Sequence, residues 1–200
     1  YMHKIIGLTG GIASGKSTIS KMIEQRGFTV LDADIASRKV IEPGEEAYLK
    51  VKEAFGNDIF HEDGTLNRAE LGNLIFNNEE KRLLLNSIMH PAVRKWMNDR
   101  QEEAFNRGEK VVFQDIPLLF EGKMQQGFDH TILVYVDADV QLERLMKRNA
   151  FSREEALARI HSQMPLLEKR ALADEVINNN GSEEESKKQL IDILKKLELI

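Results

Sequence analysis

The chain has 200 residues, 42% of them hydrophobic and 30% charged, with a formal net charge of -5 and no cysteine. That length suits one domain, or one core carrying insertions, and it buries a full core without covalent staples. The lack of cysteine excludes disulfides, thiolate metal sites and cysteine nucleophiles, and it fits a reducing, cytoplasmic setting. The acidic balance argues against a general nucleic-acid binder, and no apolar run approaches a membrane span. The first strand pattern begins at Lys4, which leaves no room for a secretory leader, and Tyr1 reads as an added residue ahead of a start at Met2.

Lys4 to Thr9 is a short apolar run, the pattern of a buried parallel strand. Gly10-Gly11-Ile12-Ala13-Ser14-Gly15-Lys16-Ser17-Thr18 follows and fits G-x-x-x-x-G-K-[ST] at every fixed position. Ile19, Met22 and Ile23 then fall at i, i+3, i+4, and Gly27 stands where a helix would end. Strand, glycine loop and helix is the order that a phosphate-binding loop requires. Glycines let backbone N–H groups turn inward around phosphate oxygens, and the helix N-terminus adds a favourable dipole. Lys16 is expected to reach the β- and γ-phosphates, and the Ser17 hydroxyl to hold Mg²⁺.

Phe28 to Leu31 is a second strand pattern, ending in Asp32-Ala33-Asp34. In a doubly wound sheet such an end lies at the ligand-binding edge. A carboxylate there would take a proton from a substrate hydroxyl or help to hold Mg²⁺. For Asp34 the functional reading is favoured. For Asp32 a metal role and a plain helix N-cap both stay open.

A long, mostly helical insertion follows. Pro43-Gly44, Asn57-Asp58 and Asp63-Gly64 mark its turns. A helix is predicted over 79–89. Pro91 is expected to start a new one, with Val93, Trp96, Met97 and Ala104 as its core stripe. His90, just before it, reads as a capping or packing residue.

Lys110 to Ile116 is a third strand pattern. Asp115 in it is a weak Mg²⁺-ligand candidate, because Pro117-Leu118-Leu119 is not the usual sequel. Glu121 reads equally as a pocket carboxylate or a surface residue. Thr131 to Val136 is a fourth strand. Arg144, Lys147 and Arg148 beyond it share one helix face. Arg153, Arg159, Lys169 and Arg170 follow in a lid-like segment. Most of these cations read as a solvated face, since Glu143, Glu154 and Glu155 are interleaved. Arg144 and Arg148 are the exceptions, because they follow Asp137-Ala138-Asp139 at the carboxyl edge of a strand. Ser152 with Glu155, and Ser182 with Glu185, have capping-box spacing. Glu175 to Ile177 is a fifth strand, ending in Asn178-Asn179-Asn180-Gly181, and a closing helix is predicted over 183–199. The five histidines show no metal-ligand spacing. Strands alternating with helices predict a parallel sheet covered by helices on both faces.

The ordered set of motifs resembles the dephospho-CoA kinase family from about residue 4 to residue 181. Leu8-Thr9 leads into the glycine loop, and Asp32-Ala33-Asp34 is followed by Glu42-Pro43-Gly44. Asp63-Gly64-Thr65-Leu66, Leu74-Ile75-Phe76 and His90-Pro91 come next. Pro117-Leu118-Leu119-Phe120-Glu121, Gln141-Leu142-Glu143-Arg144, Ala173-Asp174 and Asn179-Asn180-Gly181 complete it. The resemblance implies an α/β P-loop kinase: a three-layer α/β/α core with a five-stranded parallel sheet, a helical substrate-binding insertion and a lid. The core would be 1–34, 91–147 and 169–200, the substrate domain 35–90 and the lid 148–168.

The implied reaction is ATP-dependent phosphorylation of the ribose 3′-hydroxyl of dephospho-CoA, with ATP and Mg²⁺ as cofactors. The implied catalytic residues are Asp34 as general base, Lys16, and Arg144 near the phosphates. Thr9, Gly11 to Thr18, Arg148, Asn179 and Gly181 are expected around the nucleotide, with the 178–181 turn at the adenine. Ser17 and Asp32 are the expected metal ligands. The partner is the small-molecule acceptor, with no nucleic acid or membrane, and the chain is expected as a monomer or weak homo-oligomer. The alternative is another small-molecule P-loop kinase of the nucleoside monophosphate kinase type. A regulatory GTPase would need an N-K-x-D motif, which does not occur. A noncatalytic binding module would not need Lys16, Ser17 and a candidate base.

Overall fold

A computed structural model describes residues 3–200. Tyr1 and Met2, and with them the expectation of an added first residue, lie outside the described residues. The sheet strands are β1 (Lys4–Thr9), β2 (Thr29–Asp32), β3 (Val111–Asp115), β4 (His130–Tyr135) and β5 (Glu175–Asn178). They form one sheet in the order β2-β3-β1-β4-β5, with parallel pairing of β1 to β3, β1 to β4 and β4 to β5. The chain divides into two compact units. One runs to Val30 and resumes at Ala104, and the other is Leu31–Glu103.

In the first unit, strand alternation sorts the apolar side chains onto two faces. Ile6, Leu8, Phe113, Ile132 and Val134 join Ile19 and Ile23 of α1 (Lys16–Gln25) and Leu190 and Leu194 of α9 (Glu183–Lys196) in one core. On the other face Leu133, Tyr135 and Val136 pack with Leu166 of α8 (Leu166–Leu172). Between β4 and α8 lie α6 (Ala138–Asn149) and α7 (Arg153–His161). The register sets Leu8 opposite both Asp115 and Ile132, so β1, β3 and β4 release their chains at one edge. The Asp174 carboxylate locks the start of β5 to β4. Its Oδ2 accepts from the Thr131 N–H at 2.9 Å and from the Thr131 hydroxyl at 3.1 Å.

The second unit contains α2 (Ala33–Lys39), α3 (Glu46–Phe55), α4 (Arg68–Phe76) and most of α5 (Glu79–Asn106). Its core gathers Ile41, Tyr48, Val51, Ile59 and Leu71, with Leu85, Ile88 and Met89 of α5 against them. The Asp63 turn is self-contained. Its Oδ1 accepts from the Thr65 N–H at 3.0 Å and from the Thr65 hydroxyl at 2.6 Å. The Thr65 hydroxyl, more than the N–H, holds the Asp63 carboxyl below its ordinary value.

Three local expectations are corrected. Pro91 does not start a helix but sits inside α5. The missing N–H costs the Ser87 carbonyl its usual donor, yet apolar spacing continues through the site, and packing on Ile88 and Met89 outweighs one lost bond. The closing helix ends at Lys196 rather than at 199. Glu198 adopts φ 59, and the N–H groups of Glu198 and Leu199 bond back to Lys195 and Leu194 at 3.0 and 2.8 Å. This is a Schellman ending without its customary glycine. Ser152 and Glu155 make a full capping box. At Ser182 only the half toward the Glu185 N–H forms, and the Glu185 carboxylate lies against Gly181 instead. No helix of the described residues is long and apolar enough to cross a membrane.

Candidate active site

The loop between β1 and α1 is built by two left-handed residues, Ala13 at φ 61 and Gly15 at φ 86. Gly15 is required twice over. An L side chain resists that φ, and a Cβ there would stand 2.2 Å from Asn179 Nδ2. The buried Ser14 closes the loop from within. Its N–H reaches the Gly11 carbonyl at 3.0 Å, and its Oγ accepts from the Gly11 N–H at 3.2 Å. The N–H groups of Ala13, Gly15, Lys16 and Ser17 have no protein acceptor among the described residues. Four unsatisfied donors at a helix N-terminus form a cradle for an anion.

Lys16 Nζ sits 2.6 Å from Asp115 Oδ1, the lysine side chain 18% and the aspartate 5% exposed. Pairing across the β1–β3 register brings this carboxylate from the end of β3 to the loop. Ser17 is exposed at the start of α1. The buried Thr9 donates its hydroxyl to the Pro117 carbonyl at 3.2 Å, which ties the end of β1 to the chain leaving β3.

The turn after β5 is fastened from both sides. Asn179 donates its side-chain amide to the Ser14 carbonyl at 2.7 Å and accepts from the Ser186 hydroxyl at 2.5 Å. The Arg144 guanidinium donates to the carbonyls of Asn179 and Asn180 at 2.9 and 3.4 Å. Arg148 is exposed and donates to Asn149 Oδ1 at 2.7 Å. Gly11 to Thr18, Asn179 and Arg144 are thereby brought into one linked group, with Gly181 two residues beyond Asn179. The remaining contacts were not expected from sequence, which reads Lys169 as part of a solvated face and leaves Glu121 open between a pocket carboxylate and a surface residue. Gln163 Oε1 accepts from the Ile12 N–H at 3.0 Å, and Gln141 donates to the Ile12 carbonyl at 2.9 Å. Lys169, 0% exposed, donates to the Gly10 carbonyl at 3.0 Å and pairs with Glu121 at 2.9 Å.

In the second unit, Asp32 Oδ1 caps α2 by accepting from the N–H groups of Asp34 and Ile35 at 2.8 and 3.2 Å. Asp34 stands exposed in the first turn of that helix. The sheet order sets β3 between β1 and β2, so the strand neighbouring β1 on that side ends in Asp115, not in Asp32. A cavity of about 570 Å³ lies between α3 and α5, lined by residues such as Ala47, Ile88 and Trp96. Its lysines are matched by carboxylates, Lys50 with Glu46 and Lys95 with Asp99. Among the described residues no cluster of three or more His, Asp or Glu side chains is arranged as a metal cage.

A parallel sheet, an open amide cradle at the first helix and a lysine beside it define a P-loop kinase. The dephospho-CoA kinase family model matches residues 4–185. Dephospho-CoA kinases from Bacillus thuringiensis subsp. konkukian and Carboxydothermus hydrogenoformans are 55% and 52% identical to this chain. The first match covers 100% of both chains, and the second covers 96% of this chain and 93% of its relative. Among solved structures, dephospho-CoA kinase from Campylobacter jejuni superposes with a TM-score of 0.74 at 26% identity, over 98% of each chain. TT1252 from Thermus thermophilus reaches a TM-score of 0.83 at 35% identity, over 98% of this chain and 99% of its own. Shikimate kinase from Aquifex aeolicus shares the fold alone, with a TM-score of 0.52 at 17% identity. The chain belongs to the dephospho-CoA kinase family.

Proposed function

We propose that this protein transfers the γ-phosphoryl group of ATP to the ribose 3′-hydroxyl of dephospho-CoA, giving coenzyme A and ADP. The loop carries the donor half of the reading, with four amide donors without protein acceptors flanked by Lys16, and membership of the dephospho-CoA kinase family supports the acceptor half. In transfer, a bond forms between the hydroxyl oxygen and phosphorus. The bond from phosphorus to the bridging oxygen breaks, and its electron pair leaves with ADP. The protein's part is to place the two ends and to balance charge as it shifts. The cradle amides and Lys16 hold the phosphates, and Lys16 exchanges its Asp115 partner for them.

Asp34 is the group proposed to take, or to direct, the hydroxyl proton. Its exposure suits a residue that must meet an incoming acceptor. Arg144, held by the turn carbonyls, is the proposed cation beside the reacting phosphates, with Arg148 a further nucleotide contact. Thr9 and the turn through Asn179 and Gly181 complete the proposed nucleotide site. Mg²⁺, when bound, neutralises phosphate charge. The Ser17 hydroxyl is the proposed ligand from the loop, and Asp32 is the other proposed ligand, through the Oδ2 left over once Oδ1 has capped α2. Such a site, with few protein ligands and several phosphate and water oxygens, is the usual one for Mg²⁺.

The segment 35–90 is proposed as the acceptor-binding part and 148–168 as a lid. The proposed setting is the cytoplasm, and the proposed state a monomer or weak homo-oligomer. The test is product analysis. Incubation with ATP and dephospho-CoA should convert the acceptor to a species heavier by one phosphoryl group, with one ADP formed per product. ADP formed without a phosphorylated acceptor would overturn the reading.

A further inference from the structure

The segment Gln163 to Lys169 meets the phosphate loop residue by residue. Gln163 Oε1 accepts from the Ile12 N–H at 3.0 Å. Leu166 covers Gly11, where a Cβ would stand 2.9 Å from Leu166 Cδ2. Lys169 Nζ donates to the Gly10 carbonyl at 3.0 Å. Residues spaced by three on one segment thus hold Ile12, Gly11 and Gly10 in turn. Gln141 closes the other side by donating to the Ile12 carbonyl at 2.9 Å. The next residue is Ala13, whose φ of 61 an L residue adopts only when its neighbours are fixed.

Lys169 is unusual for its place. It is 0% exposed, and its charge is balanced by Glu121 Oε2 at 2.9 Å. The same oxygen accepts from the Met164 N–H at 3.1 Å. Burying such a pair gives little net stability against apolar residues of similar volume. What the pair does supply is direction: one short ammonium contact that pins a backbone carbonyl of the loop. Lys169 presents no surface to solvent.

We propose that Gln163 and Lys169 are positioning residues for phosphoryl transfer, which fix the Gly10–Ile12 backbone and thereby aim the amide cradle and Lys16. The inference rests on the reading of the loop as the donor-phosphate site. A misplacement of about 1 Å in such a site costs on the order of 10²-fold in rate.

The test compares the wild type with Gln163→Met, with the double variant Lys169→Met/Glu121→Gln, and with Lys16→Ala. The double variant removes both charges together, so neither is stranded in the core. Steady-state rates with ATP and dephospho-CoA are read per folded molecule, beside Tm. Gln163→Met and the double variant should each lose about 10- to 100-fold in kcat/KM for ATP. The KM for dephospho-CoA should stay within about twofold of wild type. A merely structural role would lower Tm and leave kcat/KM for ATP within about twofold, and that result overturns the proposal. If the double variant does not fold, Gln163→Met decides alone by the same criterion. Lys16→Ala separates the two layers. Near-normal turnover in it would remove the loop reading itself, whereas an inactive Lys16→Ala beside a normal Gln163→Met would refute only the positioning role.

Discussion

At the residue scale, charge placement sets the expected effects. Lys16 pairs with the buried Asp115 carboxylate, so Lys16→Ala should lower Tm and, per folded molecule, lose transfer by roughly 10²–10³, the scale of one electrostatic donor. Near-normal turnover by a folded variant would remove the assignment. The two aspartates at the end of β2 separate more sharply. Asp32 caps α2, and asparagine caps equally well, so Asp32→Asn should keep Tm and alter mainly the Mg²⁺ dependence. Asp34→Asn should cut kcat by roughly 10²–10⁴ with little change in ATP affinity. Rates at saturating Mg²⁺ decide this, and a larger loss in Asp32→Asn would show that the wrong aspartate is assigned. Arg144 uses a two-pronged fork on the Asn179 and Asn180 carbonyls, which lysine cannot reproduce. Arg144→Lys should therefore be impaired. A fall in kcat marks action on the reacting phosphates, and a rise in the Kd for ATP marks action through the turn.

Residues differed in how well they could be read in advance, for physical reasons. Lys16 was legible because loop, lysine and helix are contiguous. Asp115 gave a weak signal, because its partner is remote in sequence and only the β1–β3 register brings the two together. Lys169 gave none. A lysine between a glutamate and an arginine on a short helix reads as a solvated face, and only tertiary packing buries it against Glu121.

At the element scale, local chemistry was legible where each residue acts on its neighbours. The Ser152–Glu155 box is one such case, and Ser152→Ala should cost about 1 kcal/mol of stability by denaturant unfolding. The Asp63-Gly64-Thr65 turn is another. Its carboxyl is held below the ordinary value, so the contribution it makes is present above the unfolded-state pKa and is lost as pH falls through the folded one. An NMR titration should find the Asp63 midpoint below the model-peptide value of 3.8. A midpoint at or above that value would mean that the Thr65 bonds do not persist in solution. Element ends were less legible. Pro91 signals a helix start in isolation, yet packing on both sides carries α5 through it. Glu198 takes a left-handed conformation that sequence normally reserves for glycine, and so the predicted final turn of α9 is absent.

At the scale of the whole molecule, alternating strands and helices announced a parallel sheet, and the sheet is there. Its order was not legible, because nothing local tells a strand which neighbour it takes. That order matters for chemistry: β3 beside β1 delivers Asp115 to Lys16. The family model covers residues 4–185, and so reaches into both compact units and includes every residue proposed for catalysis, nucleotide or metal binding, or positioning of the loop. The account therefore stands or falls on the acceptor. ADP release can be measured side by side with dephospho-CoA, AMP, CMP and shikimate at equal concentration, with ATP and Mg²⁺ in excess. The account predicts rapid, stoichiometric ADP release with dephospho-CoA and only background release with the other three. Release with AMP, CMP or shikimate that matches or exceeds that with dephospho-CoA would contradict it.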